Sequence, residues 1–175
     1  VSEAVFSDTQ ELININFNAD LCEFLRKHGV SDHHLYAMGA FSVITFQKSS
    51  IGKELAATSS VGGVYERMFG DLINHHLEKN CRYRLASLTS RGCRIESREI
   101  SGIAEELGVR HLGNASVCHT KVGVAASMPG YLSLPFSEVV ETKCVHRGDP
   151  LCVFDVDFSR AQEFHRTSLR GLLNH

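Results

Sequence analysis

The last third of the chain carries its tightest constraint. From Leu151 to Phe158 the residues alternate, with Cys152, Phe154, Val156 and Phe158 on one face and Asp155 and Asp157 on the other. That period of two describes a strand with one buried side. Arg147-Gly148-Asp149-Pro150 stands just before it. Glycine accepts a positive φ and proline has no N–H for a ladder, so the tetrapeptide predicts a turn. Val139 to His146 then reads as the partner strand. A hairpin with one apolar face needs helices or further strands to cover it.

Upstream segments supply that cover. Ala19 to His28 reads as an amphipathic helix, with Leu21, Phe24, Leu25 and His28 on one stripe and Gly29 as its stop. Leu35 to Phe46 is apolar and partly β-branched, and suits a strand or a buried helix equally. Val61 to Lys79 gives the longest helical pattern, ended by Asn80. Tyr83 to Ile100 alternates as a strand does, and Ala104 to Leu107 makes a short helix that stops at Gly108. Ala115 to Ala126 reads as a further strand. Ser159 to Leu173 reads as a polar helix capped by Ser159, leaving the domain as a connector. The expected fold class is α+β: a mixed or antiparallel sheet with helices packed on it, a terminal metal-bound hairpin and a C-terminal connector helix.

Composition narrows the class of protein. At 175 residues and 43% hydrophobic the chain can bury a core as one domain, residues 1–175. No apolar run approaches the ~18 residues of a membrane-spanning helix. The net charge of −2 is a poor footprint for nucleic acid or anionic lipid. The chain starts at Val1, as a trimmed or excised segment would. Its six cysteines are not needed as staples at this length, so reduced thiols and a cytoplasmic setting are expected.

Chemistry gathers at the hairpin. Glu141 and Cys144 lie on one strand, Cys152 starts the other, and Cys118 begins a neighbouring segment. Three thiolates and a carboxylate can close a tetrahedral zinc site. Glu141 and Cys144 are an odd number apart, so a regular strand would point them to opposite faces. A bulge near Thr142-Lys143 would bring them together; failing that, His119 or His146 would replace Glu141. Buried free thiols or a Cys144–Cys152 disulfide remain as alternatives on spacing alone.

Glu141, Cys144, Gly148-Asp149, Cys152, Phe154 and Val156, preceded by Cys118-His119-Thr120-Lys121-Val122-Gly123, resemble the closing signature of the 4-vinyl reductase domain family. The match covers about residues 110 to 158. The resemblance implies an α/β ligand-binding fold, shaped like haem–nitric-oxide-binding domains and trafficking-complex subunits. Its best understood members are sensory domains of phenol- and xylene-type transcriptional activators. It also implies zinc held by Cys118, Glu141, Cys144 and Cys152, and a homodimer. Four protein ligands leave no position for water, so such a zinc is structural.

Function would then sit in an apolar cavity taking a small hydrophobic molecule, with the connector helix passing the change to an output domain. Candidate lining residues are Tyr65, Phe69, Ile73 and His76 of the long helix, with Tyr131 and Phe136. The phenol-sensing relatives use a His and a Trp on the ligand hydroxyl; this chain has no Trp, which speaks against a phenol. Residues 1–18, with Val5, Phe6, Leu12, Ile13, Ile15 and Phe17, suit a dimerisation arm or an edge strand. The paired histidines His33-His34 and His75-His76 raise a second reading, a haem- or tetrapyrrole-binding gas sensor or pigment-synthesis accessory protein. No nucleophile elbow, phosphate loop, dinucleotide fingerprint or His-Glu-x-x-His motif stands in the chain, so no enzyme is expected.

Overall fold

The computed structural model describes residues 15–77 and 80–164. Along the chain, α1 (Ile15–Lys27), α2 (Asp32–Ala40), α3 (Ser42–Phe46), α4 (Ser50–Ala56) and α5 (Val61–Arg67) come first. A π-helical run, Met68–Leu77, continues α5. Strands β1 (Cys81–Leu88) and β2 (Gly92–Glu99) follow, then α6 (Ile103–Glu106), α7 (Ala115–Ser127), β3 (Glu138–Lys143) and β4 (Cys152–Asp157). The fold is therefore α+β. The four strands form one antiparallel sheet in the order β1-β2-β4-β3.

One face of the sheet is the floor of the core. Tyr83, Ile95, Phe154 and Val156 point inward and meet Val64, Tyr65, Met68 and Phe69 from α5 and the π-helical run. Tyr65 stacks on Phe158, with ring centroids 5.4 Å apart, and on Phe69 at 6.2 Å. Arg82, Arg84, Arg94 and Arg98 lie exposed on the opposite face, which stays in water. A sheet covered on one side only needs the period-two alternation that the sequence displays.

Several expected elements change. Tyr83 to Ile100 is a hairpin, β1 and β2, because Thr89 turns the chain by accepting the Gly92 N–H on its hydroxyl at 3.1 Å. Leu35 to Phe46 resolves into two short helices. Ala115 to Ala126 is a helix, not a strand. Asn114 caps it by accepting the Val117 N–H at 3.2 Å. Its small residues also let α2 approach to backbone contact: a Cβ on Gly123 would stand 2.0 Å from the Tyr36 carbonyl oxygen, and one on Gly39 2.0 Å from that of Thr120.

The stripe expected on α1 is rotated. Leu21, Phe24 and His28 are exposed and Leu25 packs in part, while Ala19 and Cys22 are buried beside Leu35 and Val117. Two polar contacts set that rotation, Asn114 Nδ2 to the Ala19 carbonyl and Arg26 to Ser116 Oγ, both 3.1 Å. Ile15 and Phe17 belong to α1, and residues 1–14 of the expected arm lie outside the described residues. Residues 159–164 are helical, as expected for the connector; Leu169, Leu172 and the rest of it lie outside the described residues.

The α2–α7 contact predicts a stability test. Gly123→Ala should cost at least about 2–3 kcal/mol in urea unfolding, since the added methyl meets backbone. Gly70→Ala, whose added methyl meets nothing within 4 Å, should cost nothing measurable. Equal effects would mean that α2 and α7 do not pack this closely.

Candidate metal centre

The hairpin is irregular where the sequence requires it. Glu141 pairs with Phe154 and Lys143 with Val153, so Thr142 is an extra residue on β3. This is the bulge expected near Thr142-Lys143, and it turns Glu141 and Cys144 to the same side. Gly148, at φ +95, reverses the chain after a short 3₁₀ turn, Val145–Arg147. Asp149 closes the loop by accepting the Cys144 N–H on Oδ2 at 2.9 Å. Cys118 comes from the first turns of α7 rather than from a strand.

These elements bring four donors together. One ligand atom each from Cys118, Glu141, Cys144 and Cys152 lies within 4.8 Å of the others, and no other such group of three or more is found among the described residues. The Cys118 and Cys144 sulfurs are 3.7 Å apart. All three cysteines are buried. Cys144 and Cys152 are not bonded to each other, so the disulfide alternative is not adopted. Neither histidine offered as a substitute ligand joins the group; His119 Nε2 instead lies 3.5 Å from Asp32 Oδ2.

The two oxygens of Glu141 differ. Oε2 takes an ion pair from Arg147 Nη1 at 3.1 Å. Oε1 is buried with no hydrogen-bond partner. A buried carboxylate oxygen without a donor costs free energy unless something else binds it. An ion among the sulfurs would meet that need, so the donor set fits a metal. Three sulfurs and one carboxylate oxygen suit a tetrahedral ion of zinc type.

Electrostatics within the cluster follow from crowding. Cys118 is pushed strongly up, by its hydrogen bond to Cys152, by burial and by the neighbouring acidic groups. Cys144 is also raised, chiefly by burial. Cys152 is brought down to about 7, first by the hydrogen bond from Cys118, then by the Val145 N–H and the charge of Lys121, against burial. The 3₁₀ turn also aims the His146 N–H at the Cys144 sulfur. Backbone donors on sulfur support the thiolates that a metal requires.

The residues expected around a ligand lie elsewhere. Tyr65, Phe69, Ile73 and Tyr131 are buried in the main core. The Tyr65 hydroxyl donates to the Ala125 carbonyl at 2.7 Å and lies 2.9 Å from Ser137 Oγ. Phe136 is partly exposed and lies over Gly130. The side chain of His76 lies outside the described residues. Two hollows are lined by other residues. One, of about 10 Å³, has room for a single water and borders Cys118, Cys152, Cys81, Lys121, Glu99 and His146. The other is an open depression of about 390 Å³ between Arg94, Glu138, Val140 and Asp157.

From the sequence, Lys121 and Arg147 are read only as parts of motifs, with no role given to either at the site. The spacing of Lys121 from Cys118, three residues, would have placed both on one face had α7 been read as a helix. No helix among the described residues is long and apolar enough to cross a membrane. No protein-family model matches the chain, and a search of curated proteins finds no match.

Metal loading should release protons, because Cys118 and Cys144 hold theirs at neutral pH and a metal displaces them. The apparent affinity should therefore climb as pH rises and fall in acid. Calorimetric titration of stripped protein in buffers of different ionisation enthalpy reads the proton count; no release would contradict thiolate ligation. Cys152→Ala should abolish loading and lower the melting temperature of protein purified without chelator. Unchanged metal content in that variant would remove Cys152 from the site.

Proposed function

We propose that this chain is a zinc-stabilised sensory domain, which binds a small hydrophobic molecule and regulates a partner or output module. The observation that carries the reading is the convergence of Cys118, Glu141, Cys144 and Cys152 at the hairpin. These are the four positions that the resemblance to 4-vinyl reductase domains marks as zinc ligands. A fully protein-ligated zinc has no open position for catalysis and acts by holding parts of the fold together. In this fold it would tie α7 to the β3–β4 hairpin. The absence of any catalytic motif in the sequence agrees with a binding role.

The aromatic run Tyr65-Phe69-Tyr83 lies between helix and sheet, with Phe69 and Tyr83 ring centroids 5.9 Å apart. An apolar ligand would enter there by displacing packed side chains, since core packing of this density leaves little standing space. Entry would move α5 and the π-helical run relative to the sheet. The helix beginning at Ser159 follows Phe158, which stacks on Tyr65, and in this reading it would relay that movement. A homodimer and a cytoplasmic setting belong to the same proposal.

Native mass spectrometry of protein purified without chelator, with metal analysis and a visible spectrum of the same sample, tests this reading. One zinc per chain with a small organic adduct is the expected result. A porphyrin mass with strong visible absorption would replace it with the haem or tetrapyrrole reading. Phe69→Trp should weaken retention of the organic adduct and leave the zinc in place; loss of both together would place the pocket elsewhere.

A further inference from the structure

The buried donor set poses a charge problem that two side chains outside it solve. Three thiolates and a carboxylate around a divalent ion leave two negative charges in a buried site. A net charge held away from water is costly unless opposite charges stand close by. Arg147 meets one side of the cluster: its guanidinium pairs with Glu141 Oε2 and also donates to the Glu141 backbone carbonyl at 3.2 Å. Lys121 meets the other. It lies one turn beyond Cys118 on α7 and borders the small cavity that Cys118 and Cys152 also line. Its Nζ is 3.8 Å from Cys81 Sγ and 5.6 Å from the Tyr83 ring centroid, which holds the ammonium at the wall of that shared cavity.

We infer that Lys121 and Arg147 are the outer-sphere cations of the metal centre, one on the thiolate side and one on the carboxylate side, and that together they neutralise the loaded site. This rests on the metal reading above and extends it to residues that ligate nothing. Glu99 borders the same cavity, but the Leu112 N–H and His111 Nδ1, the latter at 3.2 Å, already engage it. The two cations differ in kind. Arg147 presents a planar fork that fixes the carboxylate and leaves Oε1 to the metal, whereas Lys121 acts as a point charge across the cavity. Arg147 is thus a positioning residue for Glu141, and Lys121 an electrostatic one for the sulfurs.

The test is metal competition against a chromogenic chelator, using Zn²⁺ for affinity and Co²⁺ for its thiolate absorption bands. Lys121→Met should weaken Zn²⁺ about 10–100-fold, keep the cobalt thiolate bands, and be restored by Lys121→Arg. Arg147→Leu should weaken binding by a similar factor and shift the cobalt bands, because Glu141 loses its fixed orientation. Lys53→Met, a cation on α4, is the control and should change nothing. Should Lys121→Met fold poorly, Lys121→Gln answers the same question with a polar side chain. Affinity unchanged within twofold in both Lys121 variants would overturn the inference while leaving the metal site intact. A wild-type chain that binds neither ion would overturn the metal reading itself.

Discussion

Four acidic donors crowded inside 4.8 Å would repel one another if all were ionised, and everything around the hairpin answers to that fact. Without a metal, protons do the work: Cys118 and Cys144 keep theirs, and Cys152 sits lower chiefly because Cys118 donates to it, with help from the Val145 N–H and the charge of Lys121. With a divalent ion the same donors become an attractive cage. The cluster also joins three separate parts of the chain, the start of α7, the end of β3 and the start of β4. Metal binding and folding are coupled in such an arrangement, because the site does not exist until the helix and hairpin meet.

The close contact between α2 and α7 is the second constraint, and it serves the first. Gly39 and Gly123 bring the two backbones together, and that fixes how α7 lies against α2. A helix seated this closely has little freedom to slide or rotate, which steadies the turn that carries Cys118. α1 is held against α7 by Asn114 and Arg26, with Ala19, Cys22 and part of Leu25 packed beside Val117. The exposed Leu21 and Phe24 are the visible result.

Much of the site was legible in the residues themselves. Alternation from Cys152 to Phe158 and the Gly148 turn predicted the hairpin, and the odd separation of Glu141 and Cys144 left either a bulge or a histidine ligand, of which Thr142 supplies the bulge. Both are local: strand parity and positive φ depend on a few neighbouring residues. The helix carrying Cys118 was not legible. Ser116, Val117, Cys118, Gly123 and Ala125 to Ser127 are buried around α7, so it shows no polar stripe and reads like a buried strand. The same blindness hid Lys121, whose relation to Cys118 exists only at helical spacing.

The sequence by itself therefore determined the donor chemistry, the turn and the strand pair, because each follows from residue type and short-range periodicity. Only the tertiary structure decided that a capped, glycine-bearing helix brings the fourth donor. It also decided that Tyr65 and Phe69 pack as core, that Lys121 borders the cavity lined by Cys118 and Cys152, and that Arg147 pairs with Glu141. Those outcomes depend on which surfaces meet across tens of residues. That choice is made by packing and by the charge of the buried group, and no local pattern encodes either.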